Sequence, residues 1–343
     1  MLQLNSNQTR NAIEACLVTD TPLIIWGAPG IGKSQIQKQI ADDLGALLID
    51  IRLSQYDSVD MRGIPSVKEG FTTWNPPTTM PFVGSEHDTK ANKDRLIVLF
   101  LDELLQAMTA VQATAFQLCL DRAVGEHRLM PNVRVVAATN RETDRAGTNR
   151  MLTPLANRFT HVEMVPSLDS WTDWAWGNDI APEIIAFMRF RPDLLSTFDP
   201  TKGDKVFASP RTWEYANRFV KQGLPVAVRD ALLHGSVGSG PATELAAFME
   251  VWQDMPDPDE CIKNPEKAPI PPKTKPATMF AISAALVQRA NKDNLANIVK
   301  YVERLPLDYT IRTIKDAVRK NLELAGSEVF IRAMSKYQDL IKG

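Results

Sequence analysis

The sequence predicts an α/β unit built on a doubly wound, mostly parallel sheet, followed by a wholly helical part. Three observations carry this expectation. Five short apolar runs alternate with helix-like stretches between about Gln8 and Val165. A glycine-rich stretch, GAPGIGKSQ at 27–35, sits between one such run and a helical pattern. After Pro166 the strand rhythm stops, and apolar and aromatic residues recur at helical spacing.

Taken in order, PLIIW is the first buried strand, and a helix starts near Lys33 with Ile36 and Ile40 on one face. ALLIDI is the next strand. Residues 54–94 are rich in turn formers and too long for a plain connection, so they read as a functional insertion holding a small hairpin. RLIVLFLD is a strand, and helices follow Glu103 and Ala110. DRAVGEHRL reads as a hairpin before the strand VRVVAATN. A shorter helix near Leu152 precedes the strand FTHVEMV. The insertion and the second hairpin are expected to face a partner or a pore rather than the nucleotide. The predicted organisation is an α/β domain over 1–165, a helical domain over 166–253, a proline-rich linker or strap over 254–277 and a helical segment over 278–343. In that last segment three apolar stripes stand out: Ile282, Ala285 and Leu286; Leu295, Ile298, Val299 and Val302; Ile311, Ile314, Val318 and Leu322. Trp171 and Trp174 read as packing within the helical domain, rather than as a docking or base-stacking platform with Trp176.

Composition excludes several classes. With 44% hydrophobic residues, 23% charged residues and a formal net charge of -2, the chain is an ordinary globular one with no overall pull on nucleic acid or an anionic surface. No apolar run approaches the roughly 20 residues of a membrane span, and the N-terminus lacks a signal-peptide pattern. The expectation is a cytoplasmic protein. Its three distant cysteines suggest neither a disulfide framework nor a zinc site.

The chemistry-bearing residues come in a fixed order. Gly27, Ala28, Pro29, Gly30, Ile31, Gly32, Lys33 and Ser34 fit G-x-x-x-x-G-K-[ST] in full. Glycines let backbone N–H groups approach phosphate oxygens, and the following helix adds its positive end. Lys33 would neutralise the β- and γ-phosphates of ATP, and Ser34 would ligate Mg²⁺. Asp102 and Glu103 end an apolar strand, where Asp102 would hold Mg²⁺ and Glu103 would polarise the attacking water. Asn140 ends another strand and would position that water or sense the γ-phosphate. Arg158, with Arg150 as a second candidate, lies where it would serve a neighbouring subunit's nucleotide rather than its own. Ser209 and Pro210 read as a helix start that projects Arg211, which would close over the γ-phosphate.

These five elements in this order resemble the AAA+ ATPases, and finer features resemble their MoxR branch. The insertion YDSVDMRGIP…GFTTWNPPTTMPF, the stretch LFLDELLQAMTAVQATAFQLCLDRAVGEHRL, the segment LANRF and the segment ASPR are similar to that branch over roughly residues 8–220. The resemblance implies a P-loop NTPase fold of AAA+ type with a helical lid. It makes residues 27–34 Walker A, Asp102 and Glu103 Walker B, Asn140 sensor 1, Arg158 the finger in trans and Arg211 sensor 2. It also implies Mg-dependent hydrolysis of ATP to ADP and phosphate, a hexameric ring, a protein substrate and a partner bearing a von Willebrand factor A domain. One feature departs from the branch: Leu104 and Leu105 stand where its usual segment has an Asn, so the role of that Asn does not carry over. The competing reading is a nucleic-acid-associated ATPase, clamp-loader-like or restriction-linked, which the modestly basic residues 278–343 keep open.

Overall fold

The computed structural model describes residues 1–337 apart from 145, 146, 148 and 152, so the expected helix near Leu152 is seen only from Thr153 onward and 338–343 lie outside the description. Two compact units result: residues 1–166 with 199–203, and residues 167–198 with 204 onward.

The first unit holds strands β1 (Gln3–Leu4), β2 (Leu23–Trp26), β3 (Leu47–Arg52), β4 (Ile64–Lys68), β5 (Phe71–Asn75), β6 (Ile97–Asp102), β7 (Ala123–Val124), β8 (His127–Arg128), β9 (Val133–Thr139) and β10 (Thr160–Met164). Its helices are α1 (Ser6–Thr19), α2 (Lys33–Asp43), α3 (Ser58–Arg62), α4 (Thr109–Asp121) and α5 (Thr153–Ala156). Six strands form one sheet in the order β1-β10-β2-β9-β6-β3, with every pairing parallel. β2 and β6 are buried at every position, as continuous apolar runs in a parallel sheet require. The core gathers Ile24, Leu99, Leu101, Leu104, Leu105 and Val135 around β6 and its neighbours. α1 starts at a reciprocal cap, in which the Asn5 side chain accepts from the Gln8 N–H and the Gln8 side chain from the Asn5 N–H.

Both interruptions form antiparallel hairpins. β4 and β5 turn through Glu69 and Gly70, both at positive φ, the geometry of a two-residue hairpin loop. Ile64, Val67 and Phe71 on this hairpin are exposed. β7 and β8 turn through Gly125 and Glu126, with Val124 buried in the sheet's core and the His127 ring 5.6 Å from that of Phe82. The hairpins meet where the Trp74 N–H donates to Glu126 at 3.1 Å.

The second unit is helical: α6 (Leu168–Gly177), α7 (Pro182–Phe190), α8 (Pro210–Lys221), α9 (Val226–Val237), α10 (Ser239–Gln253), α11 (Pro258–Lys263), α12 (Pro276–Arg289), α13 (Leu295–Val302), α14 (Leu307–Lys320) and α15 (Glu328–Lys336). It has two apolar cores, and α12 is the wall between them. Ala281, Ala284 and Val287 face one core, and Met279, Ile282 and Leu286 face the other. Trp171 and Trp176 are buried in the first core, and Trp174 packs against it. The proline-rich stretch is pinned down along its length. α11 buries Cys261, the Tyr301 hydroxyl donates to the Pro269 carbonyl at 2.8 Å, and Arg304 donates to the Ala268 carbonyl at 3.0 Å. Arg189 on α7 and Asp316 on α14 form a buried ion pair at 2.6 Å. Among the described residues no helix is long and apolar enough to cross a membrane.

Candidate functional site

The register of three adjacent strands assembles the site. Trp26 pairs with Thr139, which brings the loop after β2 beside Asn140. Leu101 pairs with Ala137, so Asp102 ends β6 on the same edge. This is the carboxyl edge of a parallel sheet, where ligands of such folds sit.

Two glycines are demanded by the loop's shape. A Cβ on Gly27 would lie 2.7 Å from the Met164 carbonyl oxygen and 2.5 Å from Ile31. Gly32, at φ +99°, caps α2 in the left-handed region that L side chains avoid. The turn aims the unpaired N–H groups of the first turn of α2 outward from its N-terminus. Lys33 opens the helix and is buried, donating to the carbonyls of Gly27 at 2.7 Å and Ala28 at 3.0 Å and to Asn140 Oδ1 at 2.9 Å. The next side chain, Ser34, donates to Asp102 Oδ2 at 2.6 Å. Two consecutive residues of α2 thus bond to the ends of two different strands.

Asp102 is nearly buried, and its other oxygen accepts from the Glu103 N–H at 2.9 Å, which fixes the carboxylate's plane. Glu103 sits at φ +57°, a left-handed conformation costing an L residue about 1–2 kcal/mol. The Ser54 hydroxyl, at the first position of the insertion, donates to Glu103 Oε2. Sequence reasoning did not single out Ser54, because nothing local marks it; its role arises from β3 lying beside β6. Asp50 on β3 adds a third acid. Partial burial pushes its carboxyl up, the charges of Asp102 and Glu103 push it further, and Arg52 works against them. An edge this rich in carboxylates attracts a cation. Among the described residues no cluster of three or more His, Cys, Asp or Glu is arranged to hold a metal on its own. The hydroxyl of Ser34 and the carboxylate of Asp102, joined by the phosphate oxygens of a bound nucleotide, would make the mixed oxygen set that Mg²⁺ takes in nucleotide sites, so the residues present fit it.

Within the first unit Arg158 lies elsewhere. Arg158 is exposed in the turn between α5 and β10, with its guanidinium 5.9 Å from the Phe116 ring centroid. β10 begins at Thr160, which pairs with Leu23 at the start of β2. Arg158 therefore belongs to the amino edge of the sheet, and the four residues of β2, about 13 Å at 3.3 Å each, separate that edge from the loop. Arg150 is also exposed. Arg211 is exposed in the first turn of α8 in the second unit, where Ser209 and Thr212 form a reciprocal cap and Pro210 opens the helix.

Residues 23–167 match the model of the ATPase family associated with various cellular activities (AAA). No curated protein sequence matches the chain. Among solved structures, NtrX from Brucella abortus in complex with ADP is 15% identical, with 97% of this chain and 68% of that chain covered and a TM-score of 0.35. The same protein in complex with ATP is 14% identical, with 97% and 67% covered and a TM-score of 0.41. A mutant of RuvB from Thermotoga maritima is 14% identical, with 90% and 86% covered and a TM-score of 0.39.

Proposed function

We propose that this protein is a Mg-dependent ATPase of the MoxR-like branch of the AAA+ proteins, forming a ring, with hexamer the expected count. It uses hydrolysis of ATP to ADP and phosphate to remodel or activate a protein substrate, together with a partner bearing a von Willebrand factor A domain. The observation that carries the catalytic part is the pair of contacts made by adjacent residues of α2, Lys33 with Asn140 and Ser34 with Asp102. They bring a cation, a hydroxyl, an acid and an amide together at the mouth of one glycine loop.

The geometry supports one role for each residue. The backbone of residues 27–34 and the start of α2 cradle the phosphates. Lys33, held against Asn140, neutralises the β- and γ-phosphates, and Asn140 senses the terminal one. Ser34 and Asp102 would hold Mg²⁺, which supplies charge neutralisation at the phosphoryl oxygens. Glu103 takes the proton of the attacking water, using the carboxylate that Ser54 now engages. Arg158, on the opposite edge from its own loop, stabilises transition-state charge in a neighbouring subunit. Arg211 closes over the γ-phosphate from the helical unit. The alternative is a nucleic-acid-associated ATPase; the net charge of -2 gives it no general attraction to phosphate backbones.

The test separates binding from chemistry. Lys33→Ala removes the main neutralising charge, and ATP binding is expected to be lost in a fluorescent-nucleotide titration. Glu103→Gln is expected to bind ATP normally and to lose about 10²–10⁴-fold in phosphate release, the range of a general base. Wild-type turnover in Glu103→Gln overturns the assignment. The same variant, held with ATP, is the form with which to capture the substrate and partner.

A further inference from the structure

His161, on β10, makes two hydrogen bonds that fix the orientation of its ring. Trp26 Nε1–H donates to His161 Nδ1 at 2.9 Å, and His161 Nε2 lies 2.7 Å from the Ala156 carbonyl oxygen. An indole N–H only donates and a carbonyl only accepts, so the two bonds match the tautomer that accepts at Nδ1 and donates from Nε2. The two rings also stack, 5.9 Å apart at 21°. The partners of this relay are functionally placed. Trp26 is the residue before Gly27, where the phosphate loop begins, and Ala156 lies two residues before Arg158. The Trp26 ring is buried at 7% exposure, so its N–H has no cheap alternative in water.

We propose that His161 is a positioning residue, linking the phosphate loop of each subunit to the arginine that the same subunit presents to its neighbour. This inference rests on the role in trans given to Arg158 above. The arginine then has two supports. Phe116 lies under its guanidinium, and the His161 bond holds the backbone of the short helix that leads to it. A shift of the loop against bound nucleotide moves Trp26, and through the imidazole it moves the carbonyl of Ala156. Along the chain α5 leads to β10 through the turn at 157–159, where the Phe159 N–H also donates to the Ala156 carbonyl at 3.4 Å.

The test uses mixed rings and a substitution that keeps the stacked ring but removes its donor, Trp26→Phe. Subunits with Glu103→Gln offer Arg158 but do not hydrolyse. Subunits with Arg158→Ala hydrolyse only beside an intact arginine. Their mixture is expected to recover turnover. With Trp26→Phe added to the Glu103→Gln subunits, recovered turnover is expected to fall about five-fold, the weight of one neutral hydrogen bond, with ATP affinity unchanged. With Trp26→Phe added to the Arg158→Ala subunits instead, no such loss is expected. His161→Phe is the second variant and is expected to show the same dependence on which subunit carries it. Equal losses in both arrangements, or none in either, overturn the relay while leaving the arginine's role standing. No recovery in the parent mixture overturns the role in trans, and the relay with it.

Discussion

At the scale of single residues, the proposed catalytic base is held in an unusual way. Glu103 occupies a left-handed conformation with its carboxylate engaged by Ser54. That bond occupies a carboxylate oxygen that would otherwise be open to the attacking water. Removing it in Ser54→Ala is expected to raise basal phosphate release several-fold while ATP affinity stays put, a kcat effect without a binding effect. Reduced turnover in that variant would mean that the bond orients Glu103 rather than restrains it. The contrast in legibility is instructive. Gly27, Lys33 and Ser34 announced themselves because strand, loop and helix are contiguous in sequence, and Asp102 and Asn140 because each ends an apolar run. Ser54 and His161 gave no such signal. Their partners lie 49 and 135 residues away and are set only by strand order.

Elements show where a periodicity argument succeeds and where it fails. In α12 the stripe Ile282, Ala285 and Leu286 is buried, as its spacing predicts. In α14 the apolar stripe holds at three of its four positions, with Ile311 and Val318 packed against the core that buries Ile314. Ile314 is buried, but Leu322 lies beyond the helix and is 76% exposed, while Thr310, Thr313 and Asp316 are buried. The polar face turns inward because each group finds a partner. Thr310 donates to the Val302 carbonyl at 2.6 Å, Thr313 to the Tyr309 carbonyl at 2.7 Å, and Asp316 pairs with Arg189. Hydropathy does not reveal which polar residues will be satisfied in this way. Asp316→Ala leaves a buried guanidinium without its main counter-charge and is expected to cost about 3–5 kcal/mol in denaturant unfolding of the helical unit. Replacing both partners, as in Arg189→Met with Asp316→Leu, is expected to cost markedly less. The hairpins carry a different prediction. Val124 is part of the sheet's core, so cutting the β7–β8 hairpin would damage the fold. The exposed Val67 and Phe71 of the β4–β5 hairpin are the safer probe. Serine at both positions is expected to leave ATP turnover unchanged and to abolish capture of the substrate by ATP-held Glu103→Gln protein; undiminished capture would place the docking surface elsewhere.

For the whole molecule the decisive fact is that the nucleotide loop and Arg158 occupy opposite edges of one sheet. Trp26 ends β2 beside Thr139, whereas Leu23 starts it beside Thr160, two residues after the arginine. Gly27, Lys33 and Asp102 gather at one edge, and a side chain anchored at the other does not extend across the strands between. In the proposed mechanism a subunit alone therefore has the binding machinery and the base but lacks the cation that Arg158 would bring from a neighbour. Arginine fingers are worth about 10³–10⁵ in turnover. Specific activity should accordingly rise with protein concentration and level off once assembly is complete, with the rise matching the assembly curve from light scattering or sedimentation. Arg158→Ala should still assemble and bind ATP, yet stay at the low activity of the dilute protein at every concentration, a loss on the order of 10³-fold. Arg150→Ala run alongside decides between the two exposed arginines. Full activity at dilutions where only monomer sediments would remove the neighbour from the mechanism and return Arg158 to the status of a surface cation beside Phe116.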